Sequence, residues 1–343
     1  MDTILAMDIG TKTQDILLFQ RGGVMENNIQ LVLPSPTQLI GQRIRRCTQA
    51  RKPLYLGGTI MGGGPCLGAL KEHLAQGLPA YATPQGARTF DDDLEKVKAM
   101  GVQIVEKVPE DSITLGDLDL ETFSRFCELY QLEKPDEILV AVQDHGYDGG
   151  SDRVFRFQLW RHFIEGGGHL RDLLLEKAPA YLTRMAAIQE THPQVKVMDT
   201  SGAAIWGALC DPLVRQAMVT TGCTIVNIGN GHTMGALVWN YRIWGLFEHH
   251  TGLLTPQKLK EYVQQLQRGT ISNEEVYASG GHGAFIHRER PDLSFEYIAV
   301  TGPQRHLGAD YYFANPYGNM MLADCFGLIA GAGYLPLEAK TNP

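Results

Sequence analysis

The sequence predicts an α/β protein made of two related halves, and three observations lead there. Strand-like and helix-like patterns alternate along the chain. One β-hairpin plan occurs twice, at residues 4–19 (ILAMDIGTKTQDILLF) and 225–239 (IVNIGNGHTMGALVW), about 220 residues apart. Each copy is an apolar strand, a polar side chain, Ile-Gly, a short polar loop with threonine, and a second apolar strand. The length of 343 residues also leaves room for two or three domains of roughly 100–200 residues each.

The elements follow in order. A strand over Thr3–Ile9 turns at 10–13 into a second strand, 15–20. Arg21-Gly22-Gly23 reads as a hairpin turn before a third strand, 28–33, so the chain opens as an antiparallel meander. A short apolar strand, 53–57, runs into the glycine-rich stretch 57–68, then a helix over 67–76 and a strand over 79–82. A helix over 91–100 is stopped by Gly101 and followed by a strand at 102–106. Residues 120–131 form an amphipathic helix, and 137–142 an apolar strand that ends in Gln143-Asp144-His145-Gly146. The stretch 147–192 is polar and helical, broken at Gly166-Gly167-Gly168. Next come a strand at 195–198, a small-residue helix at 202–209, and the second hairpin, 224–228 and 234–239 around Gly229-Asn230-Gly231. A helix over 256–267, a strand over 297–301 ending in Gly302-Pro303, and a small-residue helix over 320–331 complete the chain.

Composition narrows the class. Apolar residues make up 44% and charged residues 20%, which excludes a disordered, collagen-like or coiled-coil chain. Acidic residues exceed basic ones, 38 to 30, for a net charge of −8, so nucleic acid is not an expected partner. No apolar run approaches the roughly 18 residues of a membrane span, and the start MDTILAMDIG lacks the cationic region of a signal peptide. A cytoplasmic protein is expected. The six cysteines are scattered, the closest pair, Cys210 and Cys223, being 13 residues apart. They read as buried thiols, and no iron–sulfur cluster is expected.

The loop Asp8-Ile9-Gly10-Thr11-Lys12-Thr13 carries the strongest chemical signal. A strand-end aspartate can hold a hydrated Mg²⁺, and Gly10 admits a phosphate close to the backbone. The Thr11 and Thr13 hydroxyls and the Lys12 ammonium add donors and charge. The second hairpin offers Asn227, Gly229, Asn230, Gly231, His232 and Thr233. Gln143-Asp144-His145-Gly146 follows an apolar strand, where open α/β sheets place ligands. Asp144 suits a general base or metal ligand there, and His145 a proton shuttle. The glycine-rich segment lacks both the GxGxxG spacing and the Lys-Ser/Thr of a P-loop. Its Gly62, Gly63 and Gly64, at a helix start, can hold an anion or substrate. Among the 11 histidines, His145, His232, His249 and His282 form a conceivable metal set without an HExxH spacing.

The paired hairpins resemble those of the actin-like ATPase superfamily, which includes sugar kinases, actin and the heat-shock chaperone ATPase. Five short elements follow that superfamily's order: residues 8–15 as first phosphate loop, 199–209 (DTSGAAIWGAL) as first connecting helix and 227–233 as second phosphate loop. Residues 298–305 (IAVTGPQR) are similar to its adenosine element, and 319–331 (NMMLADCFGLIAG) to its second connecting helix. The small residues Ala203, Ala204, Gly207 and Ala208, with Gly327, Ala330 and Gly331, suit two helices that cross closely and hinge. One departure stands out: the second loop begins with Asn227 where the superfamily has aspartate, and an asparagine cannot act as a base. More narrowly, DIGTKTQD, GGTIMGGGP, QDHG and NIGNGHT together resemble a prokaryotic family labelled pyruvate formate-lyase activating enzyme. That label implies radical chemistry on an iron–sulfur cluster with S-adenosylmethionine, and the chain lacks the three closely spaced cysteines this needs.

The resemblance implies two ribonuclease-H-like domains flanking a central cleft. The first is expected over 1–198, joined by a C-terminal helical segment, 319–343, with 147–192 as a possible insertion; the second is expected over 199–318. Function is expected to be a Mg²⁺–nucleotide-dependent phosphotransferase or ATPase. ATP and Mg²⁺ are the expected cofactors, with Asp8 at the metal, Asp144 and His145 catalytic, and Gly302-Pro303 against the adenosine. The acceptor is a small molecule or a partner protein. Two alternatives are a non-hydrolysing, nucleotide-gated activator of a partner enzyme and a metal-dependent enzyme that reuses the same cleft.

Overall fold

The computed structural model describes residues 3–335 and Leu337. The first sheet begins with β1 (Thr3–Ile9), β2 (Thr13–Gln20) and β3 (Ile29–Pro34). There follow β4 (Leu54–Gly58), β5 (Ala80–Ala82), β6 (Val102–Ile104) and β7 (Ile113–Leu115), then β8 (Glu137–Val142) and β9 (Lys196–Asp199). The later strands are β10 (Cys223–Ile228), β11 (His232–Trp239), β12 (Arg242–His250), β13 (Gly283–Ile286), β14 (Tyr297–Thr301) and β15 (Tyr312–Phe313).

Two of the sheets share one plan. The first runs β3-β2-β1-β8-β9, and the second runs β13-β12-β11-β10-β14-β15. In each, an antiparallel meander (β1-β2-β3, or β10-β11-β12) is extended from its first strand by two parallel strands (β8-β9, or β14-β15). This is the ribonuclease-H-like strand order, present twice. The hairpins also close alike: Gly10 N–H donates to the Thr13 carbonyl at 2.9 Å, and Gly229 N–H to the His232 carbonyl at 2.9 Å. The repeat read from the sequence is therefore a repeat of backbone geometry.

A third sheet, β6-β5-β4-β7, is parallel throughout and stands apart, with its own core of Leu54, Leu56, Leu70, Ala80 and Val97. Sequence reading gave three of its four strands, at 53–57, 79–82 and 102–106, and missed β7. It also missed the helix Pro36–Gln49, whose buried stripe is as sparse as Ile40, Ile44 and Thr48 among arginines and glutamines. β12 was missed as well, because Glu248 and the two histidines hide its alternation. The polar stretch 147–192 resolves into two main helices. Asp152–Glu165 packs on β12 and β13, while Thr183–Thr191 sends Met185 and Ile188 into the core beside β1 and β8. The last small-residue helix begins later than expected, at Ala323, after a single 3-10 turn. The end of the expected C-terminal segment, residues 336 and 338–343, lies outside the described residues.

β1 is buried along its length and alternates between two cores. Ile4 and Ala6 face the central one; Leu5, Met7 and Ile9 face the other. The central core is built on the helices Thr200–Leu209 and Ala323–Gly331. Thr200–Leu209 leaves the first sheet after β9 yet packs on β10 and β14, and Ala323–Gly331 follows β15 yet packs on β1, β2 and β8. Where they cross, a Cβ on Gly207 would coincide with the Ala323 carbonyl, and one on Gly327 with the Ala203 carbonyl. No side chain fits between these backbones.

Gly327→Ala should therefore cost at least about 1–3 kcal/mol, the range for overpacking a core. Gly68→Ala, mid-helix with open space around it, should instead be neutral or stabilising by up to about 1 kcal/mol. Chemical denaturation of the two variants compares them directly.

Candidate functional site

A cavity of about 480 Å³ opens between the two similar sheets, rimmed by both hairpin turns and by the loops after β8 and β14. The structure brings most of the sequence-expected residues to it. Asp8, Gly10, Thr11 and Thr13 come from the first hairpin, and Asn227, Gly229, Asn230, Gly231 and His232 from the second. Gly62, Gly63 and Gly64 line a further wall, as do Asp144, His145, Gly302 and Pro303. Two residues stay outside it. Lys12 is exposed at the loop tip, and Thr233 is buried with its hydroxyl paired to Thr251 Oγ1 at 2.9 Å. Strand alternation explains the second: His232 and Met234 face the cleft, so Thr233 faces the other side.

The two hairpins meet across the cavity, for the space over Gly231 is filled at 3.2 Å by Thr11 Oγ1. Gly64 stands against Thr11 as well, and the loop before it is held from several sides. Thr37 Oγ1 donates to the Gly63 carbonyl (3.0 Å), and Gly62 N–H donates to Asp117 Oδ1 (3.2 Å). Gly302, at φ +93°, closes the far side. A Cβ there would press on the Ile228 carbonyl and Asn227 Oδ1, so the glycine lets the β14 turn lie flat on the second hairpin. Gln304 ties the same turn to Asn230 Oδ1 at 3.1 Å.

Three carboxylates gather under the first hairpin. Asp8 and Asp15 are directly opposed across β1 and β2, and Asp324 reaches Asp8 from the crossing helix. Asp8 Oδ1 accepts the Thr200 hydroxyl at 2.8 Å. Burial pushes the Asp8 pKa up to about 6, against the opposing pull of Thr200 and Arg184. Burial and then the Asp8 charge push Asp15 up to about 8, and burial with Asp8 raises Asp324 far above the usual carboxylate range. Asp15 Oδ1 is buried with no hydrogen-bond partner. Asp324 carries no motif of its own and was missed from the sequence.

Two arginines, the buried Arg156 and the partly buried Arg184, also missed, lock the loops in place. Arg156 donates to both carboxylate oxygens of Glu248 (2.7–2.9 Å), to Asp199 Oδ2 (2.8 Å) and to the Asp144 carbonyl (2.7 Å). It thus joins β9 of the first sheet to β12 of the second. Burial works against its charge, but Asp199 and Glu248 outweigh that and raise its pKa. Arg184 makes a forked pair with Asp117 (2.6 and 2.8 Å) and donates to the Gln143 carbonyl at 2.9 Å. The third sheet is thereby fastened to the end of β8. Asp144 is itself fixed: its Oδ1 accepts Gly146 N–H (2.9 Å) and its Oδ2 Met185 N–H (2.8 Å). Burial raises its pKa despite these bonds.

The histidines regroup relative to the expected set. His145, His232 and His282 place a ring nitrogen each within 4.8 Å of one another. The fourth member is His250 and not His249. Along β12, Glu248 and His250 share the cleft-facing side, while His249 is buried on the opposite face against Ser279 Oγ (3.1 Å) and the Tyr262 ring. His250 packs on His232 and His282 with ring centres 4.7 and 4.9 Å apart. Burial lowers the pKa of His232 to about 3 and of His282 to about 2, and drives that of His145 well down, with Arg156 adding to it.

Two ribonuclease-H-like halves joined by crossing helices, with a cleft between paired hairpins, define the class: an actin-like ATPase fold. Over residues 61–307 the chain matches the family described as "Putative pyruvate format-lyase activating enzyme (DUF1786)", and it belongs to that family. No curated protein matches it. Among solved structures it is similar to the Ppx/GppA enzyme of Aquifex aeolicus, at 10% identity, over 88% of this chain and 68% of that one, with a TM-score of 0.30. It is also similar to the activator of the 2-hydroxyisocaproyl-CoA dehydratase of Clostridium difficile with bound ADPNP, at 8% identity, 97% and 94% coverage, and a TM-score of 0.32. A third likeness is to the ethanolamine utilization protein EutJ of Carboxydothermus hydrogenoformans, at 11% identity, 94% and 88% coverage, and a TM-score of 0.27. No helix among the described residues is long and apolar enough to cross a membrane.

Of the six cysteines five are buried; Cys47, Cys66, Cys127 and Cys325 lie in four different helices, Cys223 in β10, and Cys210 at the turn after Thr200–Leu209.

Arg156→Met leaves Asp199 and Glu248 buried without their counter-charge and should cost about 3–5 kcal/mol in urea unfolding. Adding Glu248→Gln to that variant should recover part of the loss.

Proposed function

We propose that the cleft binds a Mg²⁺–nucleotide and that the protein is a phosphotransferase or ATPase. One observation carries this reading: two hairpin turns, closed by the same Gly N–H bond, face each other from sheets of the same strand order and touch at Thr11 and Gly231. Their main-chain N–H groups, with the Thr11 and Thr13 hydroxyls, suit phosphate oxygens approached from two sides. Gly302 and Pro303 border the place an adenosine would take.

Asp8 is the residue to hold the metal, with Asp15 and Asp324 beside it. Three crowded carboxylates, one with an orphaned buried oxygen, are the donor set a hard cation satisfies. Bound Mg²⁺ supplies charge neutralisation at the phosphate oxygens. Asp144 takes the proton of the attacking water or substrate hydroxyl. Its burial and its two N–H bonds hold it in one orientation, and burial makes its carboxylate more basic than an exposed one.

A second reading has its own support. Asn227 stands where the first hairpin has Asp8, and its amide neither takes a proton nor adds charge at a metal. Binding without turnover would make the protein a nucleotide-gated activator of a partner enzyme, in keeping with the family's description.

Calorimetric titration with ATP and Mg²⁺, run with a phosphate-release assay on the same sample, separates these readings. Binding with release is expected; binding without release favours the activator, and no binding removes both. Asp144→Asn should lower turnover by about 10²–10⁴-fold with nucleotide affinity nearly intact; unchanged turnover would take the base away from Asp144. Asp8→Asn should weaken the Mg²⁺-dependent part of nucleotide binding, read as a smaller gain in affinity on adding Mg²⁺.

A further inference from the structure

The histidine cluster stands beside the carboxylates of the cleft and differs from them in chemistry. We propose that His145, His232 and His282 hold a divalent transition-metal ion of the zinc or iron(II) kind, with a fourth position open to the cleft.

The geometry fits. An ion bound at about 2.0–2.1 Å by an imidazole nitrogen lies about 3.2 Å from that ring's centre, so tetrahedral ligation separates the ring centres by about 5.2 Å. The three observed separations are 5.3 Å (His145–His232), 5.3 Å (His145–His282) and 5.1 Å (His232–His282). The ligands come from three separate places: the loop after β8, the start of β11 and the residue before β13. Convergence of this kind is not a by-product of one polar loop.

A second, independent observation points the same way. Both ring nitrogens of His232 and both of His282 are buried and have no hydrogen-bond partner, and His282 is 2% exposed. Buried imidazole nitrogens are normally paired, and four unpaired ones in a single cluster leave a cost that a metal bond removes. All-nitrogen donors select a borderline transition metal over Mg²⁺, which favours the oxygen donors under the first hairpin. The surrounding charge permits a dication. Arg156 is nearest, and with Asp199 and Glu248 it forms a group of net negative charge. Arg153, bound to the Gly281 and Tyr277 carbonyls, is a second cation close by. Two of the three ligands, His145 and His232, line the cavity, so the open position is reached from the space a substrate would enter.

The test uses the full-length protein, stripped with a chelator and titrated with Co²⁺ or Zn²⁺ in the absence of nucleotide, so that its outcome is independent of nucleotide binding. About one equivalent per chain is expected, with the visible Co²⁺ bands of four-coordinate nitrogen ligation. Zn²⁺ should raise the Tm of the wild-type protein. His145→Ala, His232→Ala and His282→Ala should each weaken binding by at least about 10-fold, whereas His162→Ala, at an exposed helix end, should leave it unchanged. Circular dichroism checks that each variant is folded. Where one is not, X-ray absorption of the wild-type Zn²⁺ protein decides, three imidazole nitrogens supporting the site and sulfur ligands overturning it. The site is also overturned if the wild type shows neither Co²⁺ bands nor a Tm shift, or if binding survives replacement of all three histidines.

Discussion

The whole molecule depends on one close approach, the crossing of the helices Thr200–Leu209 and Ala323–Gly331. Backbone meets backbone there because Gly207 and Gly327 have no Cβ to intervene. Each helix leaves one sheet and packs on the other, so the crossing is the joint between the two halves. It also delivers chemistry. Thr200 opens one helix and bonds Asp8, while Asp324 lies near the start of the other and crowds the same carboxylate. The two helices pack against each other more extensively than any other pair of elements among the described residues, so the halves are held together along this crossing.

Around the joint, loop ends are fixed by charge more than by apolar packing. Arg156 is buried and Arg184 largely so, and each spends its planar fork on a carboxylate and a main-chain carbonyl. A lysine at either place would supply one point charge and no fork. Arg156 ties the two similar sheets together, and Arg184 ties the third sheet to the end of β8. The loops that line the cavity are therefore held from behind while their front faces stay open, the arrangement a preorganised site requires.

Two donor sets then lie in one cleft. Oxygen donors collect under the first hairpin, and imidazoles collect at the second, where His232 takes the place that Thr13 holds in the first. The halves share a backbone but not a chemistry. Asp8 against Asn227 and Thr13 against His232 are the substitutions that separate them.

Much of this was legible in the sequence. The α/β class, the doubled hairpin and the strand ends that carry polar residues follow from local patterns, because strand alternation and Ile-Gly turns are written in consecutive residues. The small residues of the crossing helices were legible for the same reason. What the sequence left open depends on partners distant along the chain. The independence of the third sheet was hidden because short parallel strands pair only through crossovers. Arg156, Arg184 and Asp324 belong to no motif; burial and a carboxylate from another element give them their roles. The exchange of His249 for His250 turns on which face of β12 meets the cleft, a one-residue matter that only the register with β11 and β13 decides. Sequence alone determined the local backbone plan and the stock of reactive groups, and tertiary structure decided which of those groups meet, because the contacts between them are long-range and each depends on which face a strand or helix buries.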